Sequence, residues 1–186
     1  IGAIPNYYLL YYYETQAWLR YQQNHPTRAS EVMAIEEELL KKYADPELRH
    51  KPEELMKRGG AYYSDSAAEL MADIASDAGT IHIVNSQNRG AVPGIPDDVV
   101  MELPCRITKD GAQALPTSAM RPDVDALVRS VKDFELLTIQ AATTGDEDAA
   151  IRALLANPLG PDLSEAANVW RRLREVHKGL LGALDA

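Results

Sequence analysis

The spacing of apolar residues changes twice along this chain, and this limits the folds that it can adopt. Up to residue 76 apolar side chains recur every three or four positions, which is typical of one buried face of an α-helix. Between residues 80 and 115, short β-branched runs alternate with turn-forming residues, as in strands. From Asp123 to the end the helical spacing returns. This order predicts an α+β fold: a mostly helical domain with a small antiparallel sheet.

The helices before the strands are predicted from this spacing and from residues that start or stop helices. They are Pro5–Gln23, Arg28–Tyr43, a helical turn within Pro52–Lys57, and Ser64–Ser76. Thr27 is a suitable N-cap for the second helix, because its hydroxyl can accept a hydrogen bond from a free backbone N–H. The pair Gly59-Gly60 is expected to break the chain before the helix that begins at Ser64.

The strands and the C-terminal helices follow from the same signals. The predicted elements are strands Thr80–Val84 and Val99–Leu103, a third short strand after Lys109-Asp110-Gly111, and helices Asp123–Thr143, Glu147–Ala156 and Glu165–Leu184. Asn85 to Gly90 is predicted as a turn, and Pro104 is expected to end the second strand. The pattern leaves open whether Cys105–Thr108 continues it. Asp146 and Ser164 are the expected N-caps of the last two helices. No strand leads through a glycine-rich turn into a helix, so the dinucleotide-binding fingerprint is absent.

The length and net charge of the chain limit its domain number and the kinds of partner that it can bind. A length of 186 residues predicts one domain, 1–186. The net charge of −9 argues against nucleic acid or an anionic membrane as the partner, since both require clustered Lys and Arg. No apolar run is long enough for a membrane span and no signal peptide is visible, which predicts a cytoplasmic protein. A single cysteine, Cys105, excludes an intrachain disulfide framework and is expected in the core.

Five of the nine tyrosines lie within the first thirteen residues. On a helix, Tyr8, Tyr11 and Tyr12 would share one face, which is compatible with an aromatic seam in the core. The alternative is a tyrosine that acts as a base or hydrogen-bond donor. A phenol needs a pKa well below about 10 to act as a base, and a nearby cation or metal is the usual cause. The pattern by itself leaves both interpretations open.

Two basic segments are candidates for anion binding. Arg28 is predicted in the first turn of its helix, where a cation opposes the helix dipole but can join the free backbone N–H groups in holding an anion. A solvated surface arginine is the alternative. The segment from Lys57 to Ser64 places two cations and two glycines before a helix, and it could approach a phosphate or another subunit. A basic helix end with a glycine stop explains it equally well.

The order of several segments resembles the C-terminal part of glycoside hydrolase family 4, the NAD- and divalent-metal-dependent group, and its 6-phospho-β-glucosidase branch in particular. The resemblance covers nearly the whole chain in order. The segments that carry it are Ile4 to Tyr13, Thr27 to Met33, Lys57 to Ser64, Ile81 to Asn85, Ile95 to Asp98, Glu102 to Cys105, and Asn157 to Pro161. The implied fold is that of the C-terminal domain of these lactate/malate dehydrogenase-like glycosidases.

The resemblance also implies two site residues. The family's catalytic tyrosine lies in a Tyr-Leu-x-Tyr-Tyr motif, which Tyr8-Leu9-Leu10-Tyr11-Tyr12 matches, so the role of base falls on Tyr8. A family arginine that contacts the sugar phosphate lies in an Arg-Ala-x-Glu-Val motif, which Arg28-Ala29-Ser30-Glu31-Val32 matches. Arg28 lies twenty positions after Tyr8, as the family spacing requires.

The mechanism that the resemblance implies departs from the usual two-carboxylate scheme of glycosidases. NAD oxidises the C3 hydroxyl, a divalent metal such as Mn²⁺ polarises the resulting ketone, and the tyrosine removes the C2 proton before the leaving group departs. The family's NAD-binding Rossmann domain and metal-binding Cys and His are expected upstream of Ile1. Cys105 matches a different segment, Glu-x-Pro-Cys. We therefore expect a C-terminal substrate domain that is inactive alone and binds neither cofactor.

Two alternatives stay open at this stage. The chain could be a catalytically silent oligomerisation domain, with its helical tail and glycine–arginine segment at subunit contacts. The same family could also act on α-linked glycosides or on uronides. For the main interpretation, the expected partners are a phosphorylated disaccharide or glucoside and further copies of the same chain in a homo-oligomer.

Overall fold

The structure is a computed structural model that describes residues 6–59 and 62–185. Its contacts divide the chain into two compact units. The first unit takes the described residues up to Leu19 together with those from Met120 onwards, and the second runs from Arg20 to Ala119. The described chain is mostly helical, with one three-stranded antiparallel sheet, and this confirms the predicted fold class.

The tyrosine-rich segment is not one continuous helix, although Pro5–Gln23 was the predicted span. Pro5 lies outside the described residues; a 3₁₀ turn at Tyr7–Leu9 is followed by α1 (Leu10–Tyr13) and α2 (Thr15–Gln23). The break falls at Glu14, whose backbone leaves the helical region at φ −126° and ψ 30°. The Thr15 hydroxyl donates to the Tyr11 carbonyl at 2.5 Å, and such side-chain bonds compete with the helix ladder.

The helices of the second unit follow the sequence closely. They are α3 (Arg28–Tyr43), α4 (Glu54–Arg58) and α5 (Tyr63–Ser76). Thr27 caps α3 as predicted, because its Oγ1 accepts a hydrogen bond from the Ser30 N–H at 3.2 Å. Gly59 ends α4 with a φ of +94°, a conformation that the Cβ atom of other residues disfavours, while Gly60 lies outside the described residues.

The sheet comprises β1 (Ile81–Gln87), β2 (Val100–Thr108) and β3 (Gly111–Ala114), with β2 in the centre. The predicted turn over Asn85 to Gly90 is wrong in its first half, since β1 continues to Gln87 and pairs there with Val100. Pro104 does not end β2. Pro104 pairs with Ile83 of β1, while β3 stops opposite Cys105. The Pro104 carbonyl accepts from the Leu115 N–H at 2.9 Å, and because the N–H and C=O of one strand residue point to the same side, the missing N–H faces the position just beyond the end of β3.

The core of the second unit lies under the sheet, where α5 packs against β2. Leu103, Cys105 and Ile107 alternate along the buried face of β2, and the predicted core position of Cys105 is confirmed by its complete burial. Asn88, also fully buried, organises the following loop. Its Nδ2 donates to the carbonyls of Val92 and Ile95 at 3.1 and 2.8 Å, and its Oδ1 accepts from the Val92 N–H at 2.7 Å.

The first unit contains α6 (Pro122–Thr144), α7 (Glu147–Ala156) and α8 (Leu163–Val176), followed by a 3₁₀ turn at Gly182–Asp185. Asp146 caps α7 as predicted, accepting from the Ala149 N–H at 2.9 Å. The predicted helix Glu165–Leu184 is too long at its C-terminal end, and Ser164 is inside α8 rather than its cap. The positive φ values of Gly179 and Gly182 explain why the helix cannot continue.

Small residues allow the helices of the first unit to approach closely. The buried cluster contains Ala141 of α6, Ala149 and Ala150 of α7, and Leu184 of the final turn. Gly145 connects α6 to α7 with a φ of +75°, and a Cβ at this position would lie 2.6 Å from the Ala183 carbonyl oxygen. Within residues 6–59 and 62–185, no helix is both long and apolar enough to cross a membrane.

Candidate active-site residues

Tyr8 lies in the 3₁₀ turn at the start of the first unit. The Asn6 side chain caps this turn, since its Oδ1 accepts a hydrogen bond from the Tyr8 N–H at 2.9 Å. The tyrosine itself is 66% exposed, whereas Tyr11 and Tyr12 are half-buried. The local structure therefore presents the Tyr8 phenol to solvent and leaves the packing to its two neighbours on α1.

The Tyr8 ring belongs to a set of four aromatic side chains in mutual contact, which we call the ring circuit: Tyr7, Tyr8, Tyr11 and Trp18. Ring centroids lie 6.3 Å apart for Tyr7 and Tyr8, 6.2 Å for Tyr8 and Tyr11, 5.9 Å for Tyr11 and Trp18, and 6.1 Å for Trp18 and Tyr7. The Tyr8 and Tyr11 rings are nearly parallel, at 17°, and the other pairs meet edge to face. These separations fall within the favourable range for aromatic pairs. The three- and four-residue spacing of this segment includes Trp18 with Tyr8 and Tyr11, but the ring contacts of Trp18 were not predicted.

Arg28 is the first residue of α3, and its guanidinium contacts the C-terminal end of α4. Its Nη2 donates to the carbonyl oxygens of Lys57 and Arg58 at 2.6 and 3.1 Å, and its Nη1 donates to Glu31 Oε2 at 3.3 Å. The carbonyls at a helix C-terminus carry partial negative charge and lack partners within the helix. The Arg28 cation is unfavourable at the N-terminus of α3 but favourable at the C-terminus of α4. The sequence does not reveal this arrangement.

These contacts bring the two basic candidate segments together, because Arg28 reaches the backbone of Lys57 and Arg58. A guanidinium has five N–H donors. The three hydrogen bonds to described residues leave its Nε–H and one Nη1–H available, and the side chain is 58% exposed. The arrangement fixes the orientation of the guanidinium and still allows it to bind an anion, for which arginine is well suited.

The two residues that the family motifs single out belong to different units. Tyr8 is in the first unit and Arg28 is in the second, and each is described within its own unit. Their joint action on one substrate accordingly stays a prediction from the motif match and its twenty-residue spacing.

A polar cluster that the sequence analysis missed links α5 to β1. Asp73 Oδ2 accepts a hydrogen bond from the Thr80 hydroxyl at 2.5 Å and lies 2.6 Å from His82 Nε2. The hydrogen bond from Thr80, followed by the contact with His82, holds the pKa of Asp73 below its ordinary value of 3.8. Asp73 lies nine positions before His82 and on a helix, so no sequence spacing indicates this contact. These contacts connect α5 to β1, an edge strand of the sheet.

The described residues do not match the needs of a metal ion or a dinucleotide. Across residues 6–59 and 62–185, no three His, Cys, Asp or Glu side chains are grouped closely enough to hold a metal. The described sheet is antiparallel, so it lacks the parallel strand–turn–helix unit that binds dinucleotides.

Comparison with known proteins gives a consistent picture. The model of the family 4 glycosyl hydrolase C-terminal domain matches residues 1–160. The probable 6-phospho-β-glucosidase of Bacillus subtilis is 39% identical over 185 residues, which are 97% of this chain and 42% of the relative. The chain therefore spans less than half the length of this curated relative.

Solved structures resemble the chain over a similar range. A 6-phospho-β-glucosidase from Thermotoga maritima, solved with NAD and glucose-6-phosphate, superimposes with a TM-score of 0.86 and 38% identity, covering 94% of this chain and 42% of that one. The same enzyme solved with manganese, NAD⁺ and glucose-6-phosphate gives a TM-score of 0.85 and 37% identity, with the same coverage.

Proposed function

Because the chain belongs to family 4 of the glycosyl hydrolases, we propose that it is the C-terminal, substrate-contacting part of a 6-phospho-β-glucosidase. The Bacillus subtilis and Thermotoga maritima relatives carry this activity in their names and extend well beyond the region that matches this chain. The full protein would hydrolyse phosphorylated β-glucosides, and its NAD and Mn²⁺ would be held by residues outside this chain. The observation that carries the proposal is the paired motif, with Tyr8 and Arg28 at the family spacing.

In this proposal Tyr8 is the base that removes the proton from C2 of the sugar. Its exposed phenol is presented by a capped turn and by ring contacts, so the oxygen can approach a substrate. When bound, NAD supplies a hydride acceptor for C3 and the metal supplies a positive charge that acidifies C2. General-base catalysis requires the phenolic oxygen to come within hydrogen-bonding distance of the proton that it removes.

Arg28 would bind the 6-phosphate. Its remaining N–H donors, its exposure and its fixed orientation against α4 suit a doubly charged anion. The positive charges of Lys57 and Arg58 belong to the same region of the second unit and would favour the same ligand through longer-range attraction.

Assembly is a second candidate function, and one observation favours it. Leu163, Val176 and Leu180, in the helical tail of the first unit, are 78%, 77% and 80% exposed. Contiguous apolar surface marks subunit contacts, so assembly through this tail requires these side chains to be covered together by a second copy. This role is compatible with the first, and a measurement of mass in solution by light scattering on the protein and on a Leu180→Asp variant tests it. A mass of one copy for both would contradict assembly through this tail.

The principal experiment is an assay of the protein at its natural length with NAD and Mn²⁺. We expect hydrolysis of an aryl β-glucoside 6-phosphate, little hydrolysis of the α-anomer or of a glucuronide, and loss of activity on removal of either cofactor. Faster hydrolysis of the α-anomer or the uronide would overturn the substrate assignment. Separately, tight binding of NAD or Mn²⁺ to residues 1–186 alone would contradict the placement of their sites outside this chain.

A further inference from the structure

The short helix α4 is attached to α3 at both of its ends. Lys42, near the end of α3, pairs with Glu54 at the start of α4, with 2.6 Å between Nζ and Oε1. Glu36, earlier in α3, accepts from Arg58 at the end of α4, with 3.0 Å between Oε1 and Nη2. The two helices therefore run antiparallel.

Arg28 depends on the position of the C-terminal end of α4. Two of its three hydrogen bonds go to the backbone carbonyls of Lys57 and Arg58. Arg58 thus has two roles, since its carbonyl accepts from Arg28 while its side chain is anchored to Glu36. Glu36 is eight positions after Arg28, slightly more than two helical turns, so both residues face α4.

We propose that the Glu36–Arg58 ion pair is a positioning device that orients Arg28 and thereby sets the preference for phosphorylated over free sugars. The inference rests on the proposed function, because it requires Arg28 to contact the phosphate. Glu36 and Arg58 are positioning residues here and need not touch the substrate. Without the pair, the last turn of α4 has fewer attachments to α3, and the carbonyls that hold the guanidinium lose their fixed place.

The exposure of the pair determines the size of effect to expect. The Arg58 and Glu36 side chains are 40% and 46% exposed, and exposed pairs contribute little to stability. We therefore expect a small change in melting temperature, and a fall of about two- to fivefold in the ratio of kcat/KM for the phosphorylated sugar to that for the free sugar. Most of this fall should appear in KM, since the contact with the phosphate exists before the chemical step.

A charge exchange between the two positions tests the proposal in the protein at its natural length, loaded with NAD and Mn²⁺. The variants are Glu36→Arg, Arg58→Glu and the double variant, each assayed on an aryl β-glucoside and on its 6-phosphate. Both single variants should lower the ratio and the double variant should recover most of it. Glu36→Arg is the decisive one. Simple attraction between an added cation and the phosphate would raise the ratio, whereas loss of positioning lowers it.

The neighbouring exposed pair Glu37–Lys41 is the matched control, since it lies on the same helix at 3.2 Å and its described contacts stay within α3. Exchanging Glu37→Lys and Lys41→Glu should leave the ratio unchanged. Arg28→Ala tests the phosphate contact separately from the positioning role of the ion pair. An unchanged ratio in Arg28→Ala would refute the phosphate contact itself. If Arg28→Ala lowers the ratio, two results would overturn the positioning role alone. One is that the single variants at Glu36 and Arg58 behave like the control, and the other is that the double variant recovers none of the lost preference.

Discussion

Tyr8 and Arg28 are held in place by opposite kinds of interaction. Beyond its capped backbone, Tyr8 is placed by ring contacts with Tyr7 and Tyr11. Arg28 is held by directed hydrogen bonds to two carbonyls and a carboxylate. Ring packing restrains a side chain while leaving its hydroxyl available for proton transfer, whereas hydrogen bonds fix the plane of a guanidinium that must match a phosphate. The mode of support thus fits the role proposed for each residue.

The strongest test of the comparison removes one hydroxyl and keeps the ring. Tyr8→Phe should preserve the ring circuit but lower kcat by about 10²- to 10⁴-fold, the usual contribution of a general base. The KM for the phosphorylated substrate should change little. Steady-state kinetics with saturating cofactors measure both quantities.

Tyr13→Phe is the control for this variant, because Tyr13 is an equally exposed tyrosine at the end of α1. It should retain the parent activity. A Tyr8→Phe enzyme with undiminished kcat would remove Tyr8 from the mechanism and leave only its packing role.

The second test acts on the other member of the pair. Arg28→Ala removes a charged hydrogen bond to the phosphate and should lower the preference for phosphorylated over free sugars on the order of tenfold or more. Arg28→Lys keeps the charge but loses the fork of donors, and we expect it to recover only part of the preference. The ratio of kcat/KM values for the two sugars measures the effect, and full recovery by lysine would show that charge alone matters.

A smaller effect is expected from the ring circuit. Trp18 contacts Tyr7 and Tyr11, and these two rings contact Tyr8. Trp18→Ala should lower kcat roughly three- to tenfold through misplacement of the phenol, given the usual strength of aromatic pairs. Trp18→Phe should restore most of it, and neither variant should alter the preference for phosphorylated sugars. An altered preference in Trp18→Ala would show that the two kinds of support are not independent.

The smallest expected effect is a pH-dependent contribution of Asp73 to the stability of the second unit. Because the pKa of Asp73 is lowered on folding, chiefly by the hydrogen bond from Thr80, its carboxylate stabilises the fold at pH values above its ordinary 3.8. This contribution disappears as the pH falls through the folded-state pKa. Asp73→Asn should therefore be less stable than the parent near neutral pH, and the difference should shrink on acidification.

Urea unfolding of both proteins between about pH 7 and about pH 3 measures this difference. Thr80→Val removes the first cause of the pKa shift and should reproduce part of the effect. A difference between Asp73→Asn and the parent that stays constant across this range would contradict the assignment.

The predictability of the fold varies with the kind of signal. The bounds of α3 and the caps Thr27 and Asp146 follow from local chemistry, and the structure confirms them. The overlong helix predicted to Leu184 and the single helix across Glu14 were wrong, because apolar spacing continues through both breaks. At Pro104 the outcome depended on where the neighbouring strand ends, which is not a local property.

The candidate site also has parts that the sequence predicted and parts that it did not. The motifs selected Tyr8 and Arg28 from the sequence, and their roles stay predictions. The partners of Arg28 were not predictable, since Lys57 and Arg58 lie about thirty positions away and contribute backbone carbonyls rather than side chains. The tie between Asp73 and His82 was missed for a related reason, as a helix residue and a strand residue have no common spacing.

The sequence by itself determined the fold class, most helix and strand positions, the family and the two candidate site residues, because hydrophobic spacing, caps and motifs are local patterns. Tertiary structure alone decided how those residues are supported. It placed the cation of Arg28 at the C-terminus of α4, closed the ring circuit through Trp18, and carried β2 through Pro104. Each of these contacts depends on which groups folding brings within a few ångströms of one another, and local sequence patterns do not specify those distances.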